Sequence, residues 1–388
     1  MTKRFILCYD FLTEIGGLER LMVVHAKFLK NAGYRVKLIF GEMNRELATN
    51  EIFSGLELEE FGSKKLTGST KILGGIIGAN YLKNIIQPND TLISYSFPMN
   101  ITLRKFNNTK IQYLNHFPNF LYLPLRERWI WANNTKRKIA FFYSLILGPI
   151  TKKLDKKYID KNSLIFVNSN FTKKKLDPLY DIDATMSYPP VNNTFSRRYN
   201  EKTYEKFELP SRYIFASGRI IPDKRYDLLI EGFAKMENKR IPLVISGKWD
   251  NKEYTKLNKL AKSLGVANRI YFLGFVTTEE LVHIYSAATI YVVPTMQEDF
   301  GMCSAESLSC GCPIITWDDE GGSCEQTINR VNGYHAISYI TGDLARMMDK
   351  CIREEFKLTH HYEILDSAKK FSEEYQENIF IKEIKKVI

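Results

Sequence analysis

Glu298 to Thr316 reads EDFGMCSAESLSCGCPIIT: two acids, Glu298 and Glu306, eight positions apart, with Gly301 between them and a run of small residues after the second. Ahead of it, TIYVVPT has the β-branched, apolar composition of a buried strand, and behind it CPIITW has the same. MCSAESLSCG between them reads as a helix ended by Gly311. Glu298 therefore falls on the loop leaving a strand. Glu306 falls in the early turns of the helix, near the electropositive end where backbone N–H groups lack intrahelical partners. Gly301 lets a ligand approach the backbone closely. Carboxylates accept from hydroxyls, which suits a sugar or a ribose diol, and a helix N-terminus suits a phosphate. Together they describe a nucleotide-sugar site, although two acids beside a helix start also arise as plain charge–dipole stabilisation.

The same alternation of short apolar runs with helical patterns extends in both directions. RFILCYD, RVKLIF, DTLISYSF, KIQYLNHF and SLIFVNS are the strand candidates of the first half; RYIFASG, IPLVISG, RIYFLGF, TIYVVPT and GCPIITW are those of the second. Runs apolar throughout, not alternating, belong to parallel sheets covered on both faces. Two such series in 388 residues predict an α/β protein of two Rossmann-like, doubly wound domains, with ligands at the carboxyl ends of the strands and those ends facing across a cleft. The proline, Asn and charge content of SYPPVNNTFSRRYNEKTYEKFELPS places a linker near residues 188–210, between a first domain over 1–190 and a second over 205–365; a last helical segment over 366–388 is expected to return to the first domain. GSKKLTGSTKILGG, from Gly62 to Gly75, has the composition of a mobile loop.

A second motif-like stretch is GRIIPDKRYDLLIEGF, from Gly218 to Phe233. Arg219 follows a strand directly, Lys224 comes five residues later, and an amphipathic helix begins just beyond. A planar fork, a point charge and unsatisfied amides make a diphosphate site. Two solvated loop cations would look the same from this segment alone.

Composition narrows the class. There are 55 Lys and Arg against 44 Asp and Glu, a net charge of +11. Nine basic and two acidic residues fall between Arg126 and Lys157, interleaved with Trp129, Trp131, Phe141, Phe142 and Tyr143. That mixture suits an anionic membrane surface, or a solvated face beside an ordinary apolar one. No motif of a nucleic-acid reader accompanies the charge, so nucleic acid is not an expected partner. The N-terminal MTKRFILCYD lacks a signal-peptide core, and the longest apolar run, IAFFYSLILGPI, is too short to span a bilayer, so a cytoplasmic protein, at most peripheral to the membrane face, is expected. Six cysteines without any CxxC spacing read as small buried thiols in a reducing compartment, with no metal expected.

At this point the residues resemble a known family. EDFGMCSAESLSCGCPIIT as E-x7-E, GRIIPDK as GR-x4-K, FLGFV at Phe272–Val276, EIGGLER with Gly16 and Gly17, and the YPPV linker are together similar to the family-4 retaining glycosyltransferases of GT-B fold. The resemblance implies roles at the matching positions. Arg219 and Lys224 would hold the donor diphosphate. Glu298 would bind hydroxyls of the donor sugar and Glu306 the ribose diol. Phe300 and Gly301, with Met302 beside them, would offer backbone N–H groups, and Phe275 and Val276 would contact the base. Gly16 and Gly17, in a tight turn before LERLMVVHAKFLK, would bring amides to the phosphate, and His116 in YLNHFP would lie near the transferred sugar. Arg225 stands where the family usually has glycine, and Ser307 where it often has alanine.

The resemblance implies transfer of a hexose with retention, without metal or cofactor, the only small-molecule co-substrate being a GDP- or UDP-linked sugar. Catalysis then means stabilising charge separation between an oxocarbenium-like sugar and a departing diphosphate. YLNHFPNFLYLPL and the basic, aromatic 126–157 segment are similar to mannosyltransferases that extend lipid-linked oligosaccharides, which points to GDP-mannose as donor and a polyprenyl-linked glycan as acceptor. A UDP-sugar donor serving polysaccharide or glycolipid synthesis is the nearest alternative. A GT-B sugar epimerase, or a catalytically silent nucleotide- or glycan-binding protein, would share the fold.

Overall fold

The computed structural model describes residues 3–61, 80–132, 134–198 and 200–388. The loop expected over Gly62–Gly75 lies outside the described residues. The chain divides into two units, Met1–Tyr188 with Glu377–Ile388, and Pro189–Gln376.

The first unit holds a seven-stranded sheet built from β1 (Arg4–Leu12), β2 (Arg35–Met43), β3 (Glu57–Glu60), β4 (Thr91–Tyr95), β5 (Lys110–Leu114), β6 (Leu164–Val167) and β7 (Thr185–Met186). Its order is β3-β2-β1-β4-β5-β6-β7 and its pairings are parallel. The central strand β1 shows why its sequence is apolar throughout. Phe5 and Leu7 join one core cluster while Ile6 and Cys8 join another, so the two-residue period feeds both faces of the sheet. The helix Gly17–Asn31 covers the first of these clusters with Leu21, Met22, Phe28 and Leu29.

The second unit holds β8 (Ile214–Ser217), β9 (Leu243–Ser246), β10 (Ile270–Gly274), β11 (Ile290–Val292), β12 (Ile314–Trp317) and β13 (Gly333–Ala336), in the order β10-β9-β8-β11-β12-β13. This is a doubly wound sheet whose order reverses between β8 and β11, and such a reversal opens a crevice at the carboxyl ends of the two strands.

Three strands escape the sequence pattern, and each has a physical reason. β3 reads ELEE and pairs through charge: Lys37 Nζ on β2 lies 2.6 Å from both Glu57 and Glu59. β7 has two residues, and β13 reads GYHA, with little β-branched content. All three lie at sheet edges, where burial on both faces is not demanded.

The boundaries also differ from the sequence reading. The stretch expected as a linker over 188–210 falls, from Pro189 on, in the second unit: Asn200 caps the helix Glu201–Lys206, and the Arg198 N–H donates to Ser286 Oγ at 3.0 Å. At the other end, residues 366–388 are not one helix. The helix His361–Ala368 and the turn Lys369–Phe371 stay with the second unit. Within Glu373–Lys385 the chain passes to the first unit, where Phe380 and Ile384 enter the core.

Candidate functional site

The site of the second unit is built from strand ends. β8, β9 and β10 run into Gly218, Gly247 and Gly274, joined by N–H donation from Gly218 to Ser246 O (3.0 Å) and from Gly247 to Gly274 O (2.7 Å). Gly247 has φ +142°, and a Cβ there would lie 1.8 Å from Gly218 O, so only glycine lets the neighbouring backbones level off this closely. Beyond Gly218, Arg219 is exposed and no hydrogen bond or ion pair holds its side chain among the described residues. Ile220 is buried and tethers the loop: its N–H donates to Lys248 O at 2.8 Å. A single turn, Pro222–Lys224, follows. Arg225 then takes a left-handed conformation (φ 53°, ψ 39°) that starts the helix Tyr226–Lys235.

Lys224 meets Glu298 from the next strand's loop at 2.6 Å, Nζ to Oε2, with both side chains about a quarter exposed. Burial alone would lower the ammonium's pKa; the charge and hydrogen bond of Glu298 more than offset this, against the opposing charge of Arg219, and the pKa is raised. The Glu298 loop is braced from below. Gly322 N–H donates to Glu298 O at 2.6 Å, while the Asp319 carboxylate accepts from Gln297 N–H at 2.7 Å and Gly321 N–H at 2.9 Å.

Gly301 caps the helix Met302–Ser309 with φ +85°, and a Cβ there would fall 2.0 Å from Ser323 Oγ, so the tight entry to this helix also requires glycine. Phe300 is buried against Phe371, and its carbonyl accepts from Gln326 Nε2 at 2.5 Å. Met302 opens the helix. Glu306 is half-buried one turn on, where Tyr285 Oη donates to it at 3.4 Å; the same hydroxyl lies 2.7 Å from Ser217 Oγ at the end of β8. Cys303 sits between these groups. Burial and then the charge of Glu306 push its thiol pKa up, and Lys224 opposes them.

Two strands away, Phe275 follows β10 and is two-thirds exposed, with Val276 half-buried beside it. Lys248 Nζ lies 5.1 Å from the Phe275 ring, and Trp249 stacks on Tyr254 at 4.8 Å. A partly exposed aromatic shelf with a cation suits a planar heterocycle.

The structure thus brings Arg219, Lys224, Glu298, Glu306 and the Phe300–Met302 entry to the carboxyl ends of β8 and β11, with Phe275 and Val276 at the end of β10. Sequence reasoning missed the residues that hold them: Asp319, Ser217, Tyr285, Trp249 and Lys248. None stands in a motif; contacts between distant parts of the chain make them neighbours.

In the first unit, Gly16 and Gly17 follow β1 at the start of the helix Gly17–Asn31. Neither needs a left-handed conformation, a difference from the expected tight turn: Gly16 has φ −103°, ψ −163°. Gly16 N–H is already committed to Glu19 Oε2 at 2.9 Å, while Gly17 is exposed and a Cβ there would meet nothing within 4 Å. His116 is exposed two residues beyond β5, and its Nδ1–H donates to Phe117 O at 3.1 Å.

Comparison with known proteins follows the same division. A family model described as "Glycosyl transferases group 1" matches residues 200–373. Among curated relatives, the chain is 35% identical over 119 residues to the mannosylfructose-phosphate synthase of Agrobacterium fabrum, covering 29% of this chain and 26% of that protein. It is 26% identical over 215 residues to the D-inositol 3-phosphate glycosyltransferase of Mycolicibacterium smegmatis, covering 53% and 49%. The chain therefore spans between a quarter and a half of the length of these two relatives. Among solved structures, HepE of Anabaena in complex with UDP and glucose matches with a TM-score of 0.77 at 15% identity, over 98% of this chain and 99% of that one. Sucrose-phosphate synthase of Thermosynechococcus elongatus matches with a TM-score of 0.75 at 14% identity, over 99% and 98%. The fold is that of the GT-B glycosyltransferases, two Rossmann-like parallel-sheet units, and over residues 200–373 the chain is similar in sequence to the group 1 glycosyl transferases.

Proposed function

We propose that the protein is a retaining, metal-independent glycosyltransferase of the family-4 type that moves a hexose from a nucleotide sugar to a glycan or lipid-linked glycan. The observation that carries this reading is the Lys224–Glu298 pair at the strand-order reversal, with Arg219 exposed beside it. Departure of a nucleoside diphosphate leaves negative charge on the phosphates and positive charge on the sugar ring. Arg219 and Lys224 answer the first, and Glu298 orients the sugar through its hydroxyls. Glu306, held by Tyr285, suits the ribose diol, and the shelf of Phe275, Val276 and Trp249 suits the base. Gly17 and His116 keep the roles the resemblance gives them, whereas the Gly16 N–H is held by Glu19. The acceptor hydroxyl attacks from the face the diphosphate leaves, so no covalent nucleophile is assigned.

GDP-mannose is the preferred donor, because the basic, aromatic 126–157 segment fits the lipid-linked acceptors that mannosyl donors serve. A UDP-sugar is the alternative, favoured by the complex of HepE with UDP and glucose. A thermal-stability screen against GDP, UDP and ADP, followed by transfer from the matching labelled nucleotide sugars to a lipid extract, decides between them. Stabilisation by none of the three, with no transfer, overturns the reading.

Attachment to an anionic membrane is part of the same proposal, supported by three helices of the first unit, Leu125–Trp131, Thr135–Ile146 and Gly148–Tyr158. The last is amphipathic the wrong way round for a soluble protein: Thr151 and Asp155 face inward, while Ile150 and Leu154 face out. Asp155 is held by Tyr122 Oη (2.7 Å), Tyr180 Oη (2.8 Å) and Asn100 Nδ2 (2.9 Å). With Trp129, Ile130, Ile139, Phe142 and Ile146 also exposed, the apolar face exceeds what scattered surface residues explain. Lys138, Lys153, Lys156 and Lys157 are exposed around it, which matches anionic headgroups. Binding to phosphatidylglycerol vesicles that weakens with salt and with Ile146→Glu supports this attachment; no binding at low salt removes it.

A further inference from the structure

The geometry points to a zinc-class divalent cation site in the second unit, formed by Asp318, Cys324 and His335. One ligand atom from each lies within 4.8 Å of those of the other two. They come from three elements. Asp318 directly follows β12, Cys324 is on the short helix Gly322–Gln326, and His335 is on β13. The β12–β13 pairing sets Thr316 opposite His335, and Asp318 N–H donates to Ala336 O at 2.8 Å, which fixes the aspartate after β12 beside the histidine on the edge strand β13.

A tetrahedral ion sets the spacing its ligands must reach. Zinc bonds of about 2.3 Å to sulfur and about 2.0 to 2.2 Å to nitrogen and oxygen place neighbouring ligand atoms roughly 3.4 to 3.6 Å apart. Asp318 Oδ1 is 4.0 Å from Nδ1 of His335 and Cys324 Sγ is 3.8 Å from Nε2, the opposite ring nitrogen, so an ion bound at Nδ1 requires the Cys324 thiol to swing toward that side of the ring. His335 Nε2 also lies 3.2 Å from the Cys324 carbonyl oxygen, which can only accept. That bond puts the proton on Nε2 and leaves the Nδ1 lone pair toward Asp318. A backbone carbonyl holding the other ring nitrogen is the usual outer support of a metal-binding histidine. Thiolate, imidazole and carboxylate together select zinc or cobalt over magnesium or calcium, which prefer all-oxygen sets. Cys324 is buried and Asp318 exposed, so the fourth position opens to water.

The site has a consequence for the donor loop, which rests on the function proposed above. Asp318 adjoins Asp319, whose carboxylate holds Gln297, and Cys324 lies two residues past Gly322, which holds Glu298 O. A cation clamping 318 to 324 would stiffen the shelf under Glu298.

The test measures metal without substrate. Protein equilibrated with zinc and then desalted is expected to retain one zinc more per chain than Cys324→Ser does, and cobalt loading is expected to give a thiolate charge-transfer absorption absent from that variant. His335→Gln and Asp318→Asn, read in the same way, cover the case in which the cysteine variant fails to fold; each should weaken binding at least roughly tenfold. Equal metal content and an unchanged cobalt spectrum in wild type and variants overturn the site, whether or not the protein transfers sugar.

Discussion

Lys224 Nζ stands 2.6 Å from Glu298 Oε2, across 74 residues of sequence and between the loops that leave β8 and β11. Each loop is tied down separately, the first by Ile220 and the second by Asp319 and Gly322. The pair is therefore set by the backbone rather than by a chance meeting of flexible side chains. Two part-exposed groups of this kind add only about 1 kcal/mol to stability. Their value lies in presenting a positive and a negative group side by side to a ligand that carries both phosphate and hydroxyls.

Lys224→Ala and Glu298→Ala are each expected to reduce sugar transfer by at least about a hundredfold, as loss of a group aligned with transition-state charge does. Circular dichroism should be unchanged and the melting temperature should move only by the few degrees that ~1 kcal/mol implies. Near-normal turnover in either variant would remove the pair from the active site.

Arg225 occupies the left-handed region, which costs a non-glycine residue about 1 to 2 kcal/mol. Its guanidinium offsets this by gripping Asp227, Nε to Oδ1 at 3.0 Å and Nη2 to Oδ2 at 2.9 Å. Arg225→Ala keeps the strain and loses the fork, whereas Arg225→Gly loses both. Urea denaturation should therefore rank the alanine variant lowest, with glycine about 1 kcal/mol above it. The reverse order would mean the conformation is not strained.

Two buried groups of the first unit give opposite pH dependences. Burial raises the Asp10 pKa to about 7 and lowers that of His25 to about 3. Between their unfolded values and these, folded Asp10 keeps a proton the unfolded chain has lost, so stability falls as pH rises from about 4 to 7. Folded His25 refuses a proton the unfolded chain accepts, so stability falls as pH drops from about 6.5 to 3. Over pH 4 to 6.5 the two nearly cancel. Asp10→Asn removes one side of the balance, and chemical denaturation should then show stability dropping by roughly 3 kcal/mol from pH 6.5 to 4, steeper than in wild type. Parallel pH profiles would refute the assignment.

Phe380 stacks on His25 with ring centroids 4.0 Å apart and also packs against Phe166. It lies on the C-terminal helix and is fully buried in the core of the first unit. Phe380→Ala should cost about 3 to 5 kcal/mol. Hydrogen exchange should rise first in the helix Gly17–Asn31, and a loss below 1 kcal/mol would show that the helix is a dispensable appendage.

The interior strands of both sheets are legible in the amino-acid pattern; the edge strands β3, β7 and β13 are not. Buried parallel strands must be apolar on both faces, so RFILCYD or TIYVVPT can be little else, and the acids and cations placed just after such runs had to lie at strand ends. The same pattern also determined where glycine was needed at Gly301. Whatever depends on the order of strands in space lies beyond the local pattern. The charged edge strand ELEE owes its place to Lys37, the stretch around Arg198 is claimed by the second unit through Ser286, and Lys224 meets Glu298 because β8 and β11 lie side by side. Asp319 and Tyr285 carry no local signature, because a hydrogen bond made between distant segments depends on which elements are neighbours, and no local pattern records that.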